Sequence, residues 1–239
     1  MHAQREDADH DVDLAATAHR FPRVTSFRSR HAALSDRQQE TWERRWPELG
    51  TEARHADGTP AEPIDAEAWF GRTAPLVLEI GCGAGISTLA MAIEEPHLNV
   101  IAVEVYEKGL AQLLGGVDRE GLSNVRFVRG DGVDVLEHPD PWPKARHHKR
   151  RLLQSETVAM IADRLRPGGI LHAATDHPGY AEQIGEVGDA EPTLRRLSDS
   201  VIDEAGTDLP MSVRRPVTKY EDKAQQAGSA VAEFIWEKL

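Results

Sequence analysis

The sequence predicts an α/β fold with a mostly parallel twisted sheet, helices on both faces and an antiparallel C-terminal strand. Three observations carry this. Short apolar runs alternate with helical periodicity from Pro75 to Thr175. The first run ends in Gly81-Cys82-Gly83-Ala84-Gly85, a glycine-rich strand-to-helix turn. Ser229 to Trp236 then alternates Val231, Glu233 and Ile235, as a terminal strand does.

The elements follow in order. Residues 1–20 are polar, rich in Asp and His, and can bury little, so a disordered tail is expected. Residues 21–70 form a helical and loop extension, and residues 71–239 the main domain. Ser35 with Gln38 makes a capping box, predicting a helix through about Trp46 that Pro47 and Gly50 end. Residues 50–63 read as a loop. Leu76 to Ile80 is a buried strand, Gly85 to Glu95 a helix with Leu89, Ala92 and Ile93 on one face, and Asn99 to Glu104 a second buried strand. A helix over Tyr106 to Glu120, a strand over Val125 to Val128 and a short helix over Gly132 to Glu137 come next. A longer helix spans Lys149 to Leu165, stopped by Arg166-Pro167-Gly168-Gly169, and Ile170 to Thr175 is another strand. Right-handed crossovers bring the C-terminal ends of such strands to one edge, where ligands bind.

Composition bounds the partners. The chain has 239 residues and a formal net charge of −12. A broadly basic coat for polyanions is thereby excluded. Yet Arg20–His31 and Lys144–Arg151 contain no acid and hold nine of the 28 basic residues, which points to a local anionic partner. No apolar run is long enough for a membrane span, and the N-terminus has no apolar signal core. The single cysteine, Cys82, fits a reducing cytoplasm.

Chemistry concentrates in four segments. In Glu79-Ile80-Gly81-Cys82-Gly83-Ala84-Gly85 the dinucleotide pattern G-x-G-x-x-G fails, because Ile86 stands at its last position. The spacing G-x-G-x-G after an acid is instead the form seen in methyltransferases that use S-adenosylmethionine. Glu79 is placed to orient the cationic end of that molecule, Glu104 to accept from its ribose hydroxyls, and Asp131 to meet its adenine amino group. The bland reading is a set of loop acids capping helix N-termini. The second segment, Pro139-Asp140-Pro141-Trp142-Pro143-Lys144, is a proline-fixed loop leading into Arg146-His147-His148-Lys149-Arg150-Arg151. A rigid carboxylate there can grip a guanine edge, and the basic run can hold phosphates. No metal is expected: His138, His147 and His148 lack a second thiolate or the usual spacing of a zinc site. Thr175-Asp176-His177 and Thr218-Lys219-Tyr220-Glu221 are bland alone. Asp176 could be an N-cap before Pro178, and Thr218 with Glu221 a capping box.

Together these segments resemble the bacterial tRNA (guanine-N7)-methyltransferase family, the TrmB type, over roughly residues 21 to 237. The Pro-Asp-Pro-Trp segment is the most specific feature. The resemblance implies a Rossmann-like class I methyltransferase fold that uses S-adenosylmethionine to methylate guanosine at position 46 in the tRNA variable loop. It implies cofactor contacts at Glu79, Gly81, Gly83, Glu104, Asp131 and Asp140, and a catalytic role for Asp140. It implies guanine or RNA contacts at Lys144, Asp176, Thr218, Lys219, Tyr220 and Glu221. The alternatives are a class I methyltransferase of another RNA base or a small molecule, and a non-catalytic RNA-binding protein on this scaffold.

One departure stands out. In the family a hydrophobic strand leads directly into Pro-Asp-Pro-Trp, whereas here the helix ending at Glu137 meets His138 and Pro139 with no strand between. A helix end cannot cross back over a sheet in zero residues, since an extended residue spans at most about 3.6 Å. Either a central strand is lacking, or a segment is omitted between His138 and Pro139. Omission is the favoured reading, because losing a central buried strand should unfold such a sheet.

Overall fold

The computed structural model describes residues 33–136, 151–197 and 231–239. Along the chain these form α1 (Asp36–Leu49), β1 (Gly50–Glu52), α2 (Ala66–Phe70), β2 (Leu76–Ile80), α3 (Ile86–Glu94), β3 (Asn99–Glu104) and α4 (Glu107–Glu120). They continue with β4 (Val125–Arg129), α5 (Gly132–Leu136), α6 (Ser155–Arg164), β5 (Ile170–Thr175), α7 (Pro178–Asp189), β6 (Leu194–Arg196) and β7 (Ala232–Lys238). The α/β class and most strand bounds follow the sequence reading.

The strands form two sheets. One is wholly parallel, in the order β1-β4-β3-β2, and the other is antiparallel, in the order β5-β7-β6. The parallel sheet is covered on both faces. On one, Ala102, Val125 and Phe127 meet Leu110, Leu113, Leu114 and Val117 of α4, with Trp42, Trp46 and Leu49 of α1. On the other, Ile101, Val103 and Val128 pack against Trp69 and Phe70 of α2 and Val135 of α5. The antiparallel sheet has its own core, where Leu171, Ala173, Phe234 and Trp236 meet Val158 and Ala162 of α6 and Ile184 of α7.

Several elements depart from the sequence reading. The capping box at Ser35 and Gln38 forms as expected. The helix nevertheless runs through Pro47 to Leu49. Proline's missing N–H costs one intrahelical bond near the helix end, while Leu49 is buried and Trp46 stacks on Trp42 at 4.0 Å. Residues 50–52 are not loop but an edge strand paired with β4. Ile93 is exposed rather than on the packed face of α3.

The helix expected from Lys149 starts six residues later, at Ser155. Residues 151–153 are tied to α7 instead: Leu153 donates its N–H to the Tyr180 hydroxyl (2.8 Å), and its carbonyl accepts from Gln183 (3.0 Å). The apolar run of β2 predicts a buried strand, yet β2 ends the parallel sheet among the described residues, with Leu76 49% and Leu78 37% exposed. The junction of His138 and Pro139 lies outside the described residues.

Candidate active site

Parallel register places the site. Glu79 lies beside Ala102, and Glu104, closing β3, lies beside Arg129. The C-terminal ends of β2, β3 and β4 therefore share one edge. The turn after β2 sits on that edge, and its backbone needs glycine. Gly81, Gly83 and Gly85 have φ of 81°, 58° and 72°, a region that side chains with a Cβ avoid. The turn is bonded to β3 through the Gly81 and Cys82 N–H groups, which both donate to the Val103 carbonyl (2.8 and 3.3 Å).

The two glutamates hold this turn from either side. Glu104 Oε2 accepts from the Gly83 N–H at 2.9 Å, and its Oε1 accepts from the N–H groups of Val105 (2.7 Å) and Tyr106 (3.0 Å). A carboxylate offers about four lone-pair directions, so Glu104 is both a clamp on the turn and an acceptor with capacity left on Oε2. Glu79 Oε2 accepts from the hydroxyl of Thr88, a fully buried residue in the first turn of α3, at 2.5 Å. Burial pushes the Cys82 thiol well above its ordinary value, and the charges of Glu79 and Glu104 raise it further. The thiol is therefore neutral at physiological pH, and the turn lies between two carboxylates.

Asp131 follows β4 and is buried, with Oδ1 accepting from the Val133 N–H at 3.2 Å. It thus caps α5, as the bland reading expected, while standing at the same sheet edge. Arg129 reaches Glu107 at 2.9 Å on that edge. Asp176 stands exposed past β5, on the antiparallel sheet. It is not the N-cap of α7: His177 is, with Pro178 next. Asp140, Lys144, Thr218, Lys219, Tyr220, Glu221 and the three histidines lie outside the described residues, as do Trp142 and Arg150. Arg151 is described, and its guanidinium is engaged by the Gly179 carbonyl and Gln183 (2.9 Å each), 5.0 Å over the Tyr180 ring.

The residues present fit S-adenosylmethionine. A Cβ built on Gly81 or Gly83 would meet nothing within 4 Å, so the backbone at those two positions faces open space. Carboxylates flanking it suit a ligand with a cationic end and hydroxyls. A cavity of about 560 Å³ lies elsewhere, on the sheet face lined by Trp69, Leu76, Leu78, Ile101, Val128 and Arg164. Sequence reasoning missed two residues of the site. Thr88 is one. Gly109 is the other: a Cβ there would come within 2.4 Å of the Gly83 carbonyl oxygen. A glycine in the first turn of α4 was its only visible signal.

Residues 73–234 match the family model described as "Putative methyltransferase". Fold and turn thus belong to a methyltransferase. The tRNA (guanine-N(7)-)-methyltransferase of Mycobacterium sp. (strain KMS) is 67% identical, covering 95% of this chain and 85% of that one. Those of Mycolicibacterium gilvum (strain PYR-GCK) and Nocardia farcinica (strain IFM 10152) are 61% and 56% identical, covering 90% and 92% of this chain and 87% and 86% of theirs. The chain belongs to the tRNA (guanine-N7)-methyltransferase family, the TrmB type.

The alignment with the KMS relative spans 241 positions, whereas 95% of this chain is about 227 residues, so about 14 positions of the relative have no counterpart here. Among solved structures, the aminoglycoside resistance methyltransferase NpmB1 aligns at 16% identity with a TM-score of 0.44, over 78% of this chain and 98% of that one. Among the described residues no helix is long and apolar enough to cross a membrane, and no three metal-ligating side chains cluster.

Proposed function

We infer that this chain transfers a methyl group from S-adenosylmethionine to N7 of guanine in tRNA, at position 46 of the variable loop. The carrying observation is the 67% identity to a tRNA (guanine-N(7)-)-methyltransferase across 95% of the chain.

The chemistry suits the residues. Bound S-adenosylmethionine would supply a methyl group as the carbon for a new bond to N7, its sulfur leaving as a neutral thioether and its positive charge passing to the base. Guanine N7 holds a lone pair and no proton, so this chain needs no general base to unmask it. The protein's part is positioning and electrostatics. In this reading Glu79 and the Gly81–Gly83 backbone hold the amino-acid end of the cofactor. Glu104 accepts from the ribose through the remaining capacity of Oε2, and Asp131 meets the adenine. Asp140 contacts the cofactor and stabilises the developing charge on guanine. Lys144, Asp176 and Thr218 through Glu221 hold the base and its RNA. A reducing cytoplasm is the compartment that Cys82 and a tRNA substrate suit.

The test is to incubate bulk tRNA lacking 7-methylguanosine with labelled cofactor and map the modified base. Label at N7 of a single variable-loop guanosine is expected. Label on another base, or at another atom of guanine, overturns the reading.

A further inference from the structure

We propose that Thr88 is a positioning residue for the cofactor site, acting through Glu79. This rests on the reading of Glu79 as a cofactor contact.

Thr88 occupies the third position of α3, whose N-cap Gly85 closes the glycine turn. A threonine inside a helix ordinarily bonds back to a carbonyl about one turn earlier. Here the hydroxyl reaches out of the helix to a carboxylate nine residues earlier in the chain, at 2.5 Å. The distance is that of a charge-assisted O–H···O bond, stronger than a neutral one. Thr88 is 0% exposed, so water cannot stand in for Glu79 at the Thr88 hydroxyl.

Glu79 is the penultimate residue of β2, two positions before the first glycine of the turn, and its side chain has three rotatable bonds to fix. Backbone pairing of β2 with β3 sets where its Cα lies but not where its carboxylate points. The Thr88 hydroxyl fixes that direction from the helix that begins the binding turn. Strand end, turn and helix start are thereby joined through one side-chain bond. On the other side of the turn Glu104 is fixed by three backbone donors. Glu79 is bonded by the hydroxyl of Thr88, a side-chain contact that a single substitution can remove.

The test compares Thr88→Val, which keeps the shape and removes the hydroxyl, with Thr88→Ser, which keeps the hydroxyl. Affinity for S-adenosylmethionine is measured by calorimetric titration of the full chain, alone and in a Glu79→Ala background, alongside thermal melting. Thr88→Val is expected to weaken binding about 10-fold, as loss of one bond to a charged group would, and Thr88→Ser to stay within about 3-fold of the parent. In the Glu79→Ala background Thr88→Val should change affinity by less than about 2-fold, because its route of action is gone. If Glu79→Ala itself binds like the parent, the cofactor reading of Glu79 fails, and the inference with it. If Glu79→Ala weakens binding but Thr88→Val does not, the inference alone is overturned. Equal weakening by Thr88→Val in both backgrounds also overturns it, since the hydroxyl would then serve packing only. Should Thr88→Val not fold, Thr88→Ser against Thr88→Ala isolates the same hydroxyl, and equal affinities for those two overturn the inference.

Discussion

Glu104 shows how one side chain serves two ends. Its carboxylate accepts three backbone N–H bonds of 2.7–3.0 Å and so holds the glycine turn to the end of β3. Both oxygens face donors. Glu104→Gln therefore is not a mild change: whichever oxygen becomes an amide nitrogen then opposes an N–H. An N–H left without its acceptor costs about 1–3 kcal/mol. We expect Glu104→Gln to weaken S-adenosylmethionine binding about 10- to 100-fold, close to the effect of Glu104→Ala. Calorimetry checks it, and a Gln variant within about 2-fold of the parent contradicts the clamp. The sequence made Glu104 visible as a candidate because it closes an apolar strand one βα unit after the glycines. Its hold on Gly83 was not visible, since that bond joins residues 21 apart and depends on register.

The elements were legible where local pattern and tertiary context agree. The capping box of α1 and the bounds of β2, β3, β4 and β5 are written in caps, glycines and apolar runs. Of the elements that escaped, α7 has 12 residues and was signalled only by Pro178 at its start, while β1 and β6 are short and exist through their neighbours. β1 has three residues and is a strand only because β4 offers its edge, and β6 likewise depends on β7. The late start of α6 is set by Tyr180 and Gln183 of α7, far along the chain. Gly109 in α4 belongs to the same class. An exposed helix glycine ordinarily gains up to about 1 kcal/mol on replacement by alanine. Here the new Cβ would meet the Gly83 carbonyl oxygen at 2.4 Å, a backbone atom of the binding turn. Overpacking of this kind costs about 1–3 kcal/mol. Gly109→Ala is therefore expected to lower Tm and to weaken cofactor binding at least about 10-fold, because relief of the clash displaces Gly83. A melt above the parent's with unchanged affinity would show that α4 moves away instead.

At the scale of the molecule, the outstanding feature is the break between the two sheets. β2 ends the parallel sheet and β5 ends the antiparallel one among the described residues. The strands of a parallel sheet are ordinarily buried on both faces. Here Leu76 and Leu78 of β2 are 49% and 37% exposed and border the 560 Å³ cavity. Between Leu136 and Ser155 the sequence offers Pro139, Pro141, Pro143 and a basic run, with no apolar stretch of strand length. The KMS relative carries about 14 positions that this chain does not match. A turn and a strand of about 5–6 residues fit within that number.

The sheet break and the sequence both point to the interval between His138 and Pro139, where the sequence offers no strand. Inserting there the residues of the KMS relative that have no counterpart is expected to join β2 to β5. Completing the burial of Leu76 and Leu78 alone should contribute about 1–2 kcal/mol. For a chain of this size that raises Tm by about 2–8 °C. Slower hydrogen exchange should accompany it, confined first to the amides of β2 and β5 that gain a neighbour. A scrambled insert of the same length and composition should give neither effect, since register and alternation decide whether a strand can enter a sheet. Unchanged melting and exchange with the relative's own segment would mean that the edge of β2 is not where those residues belong.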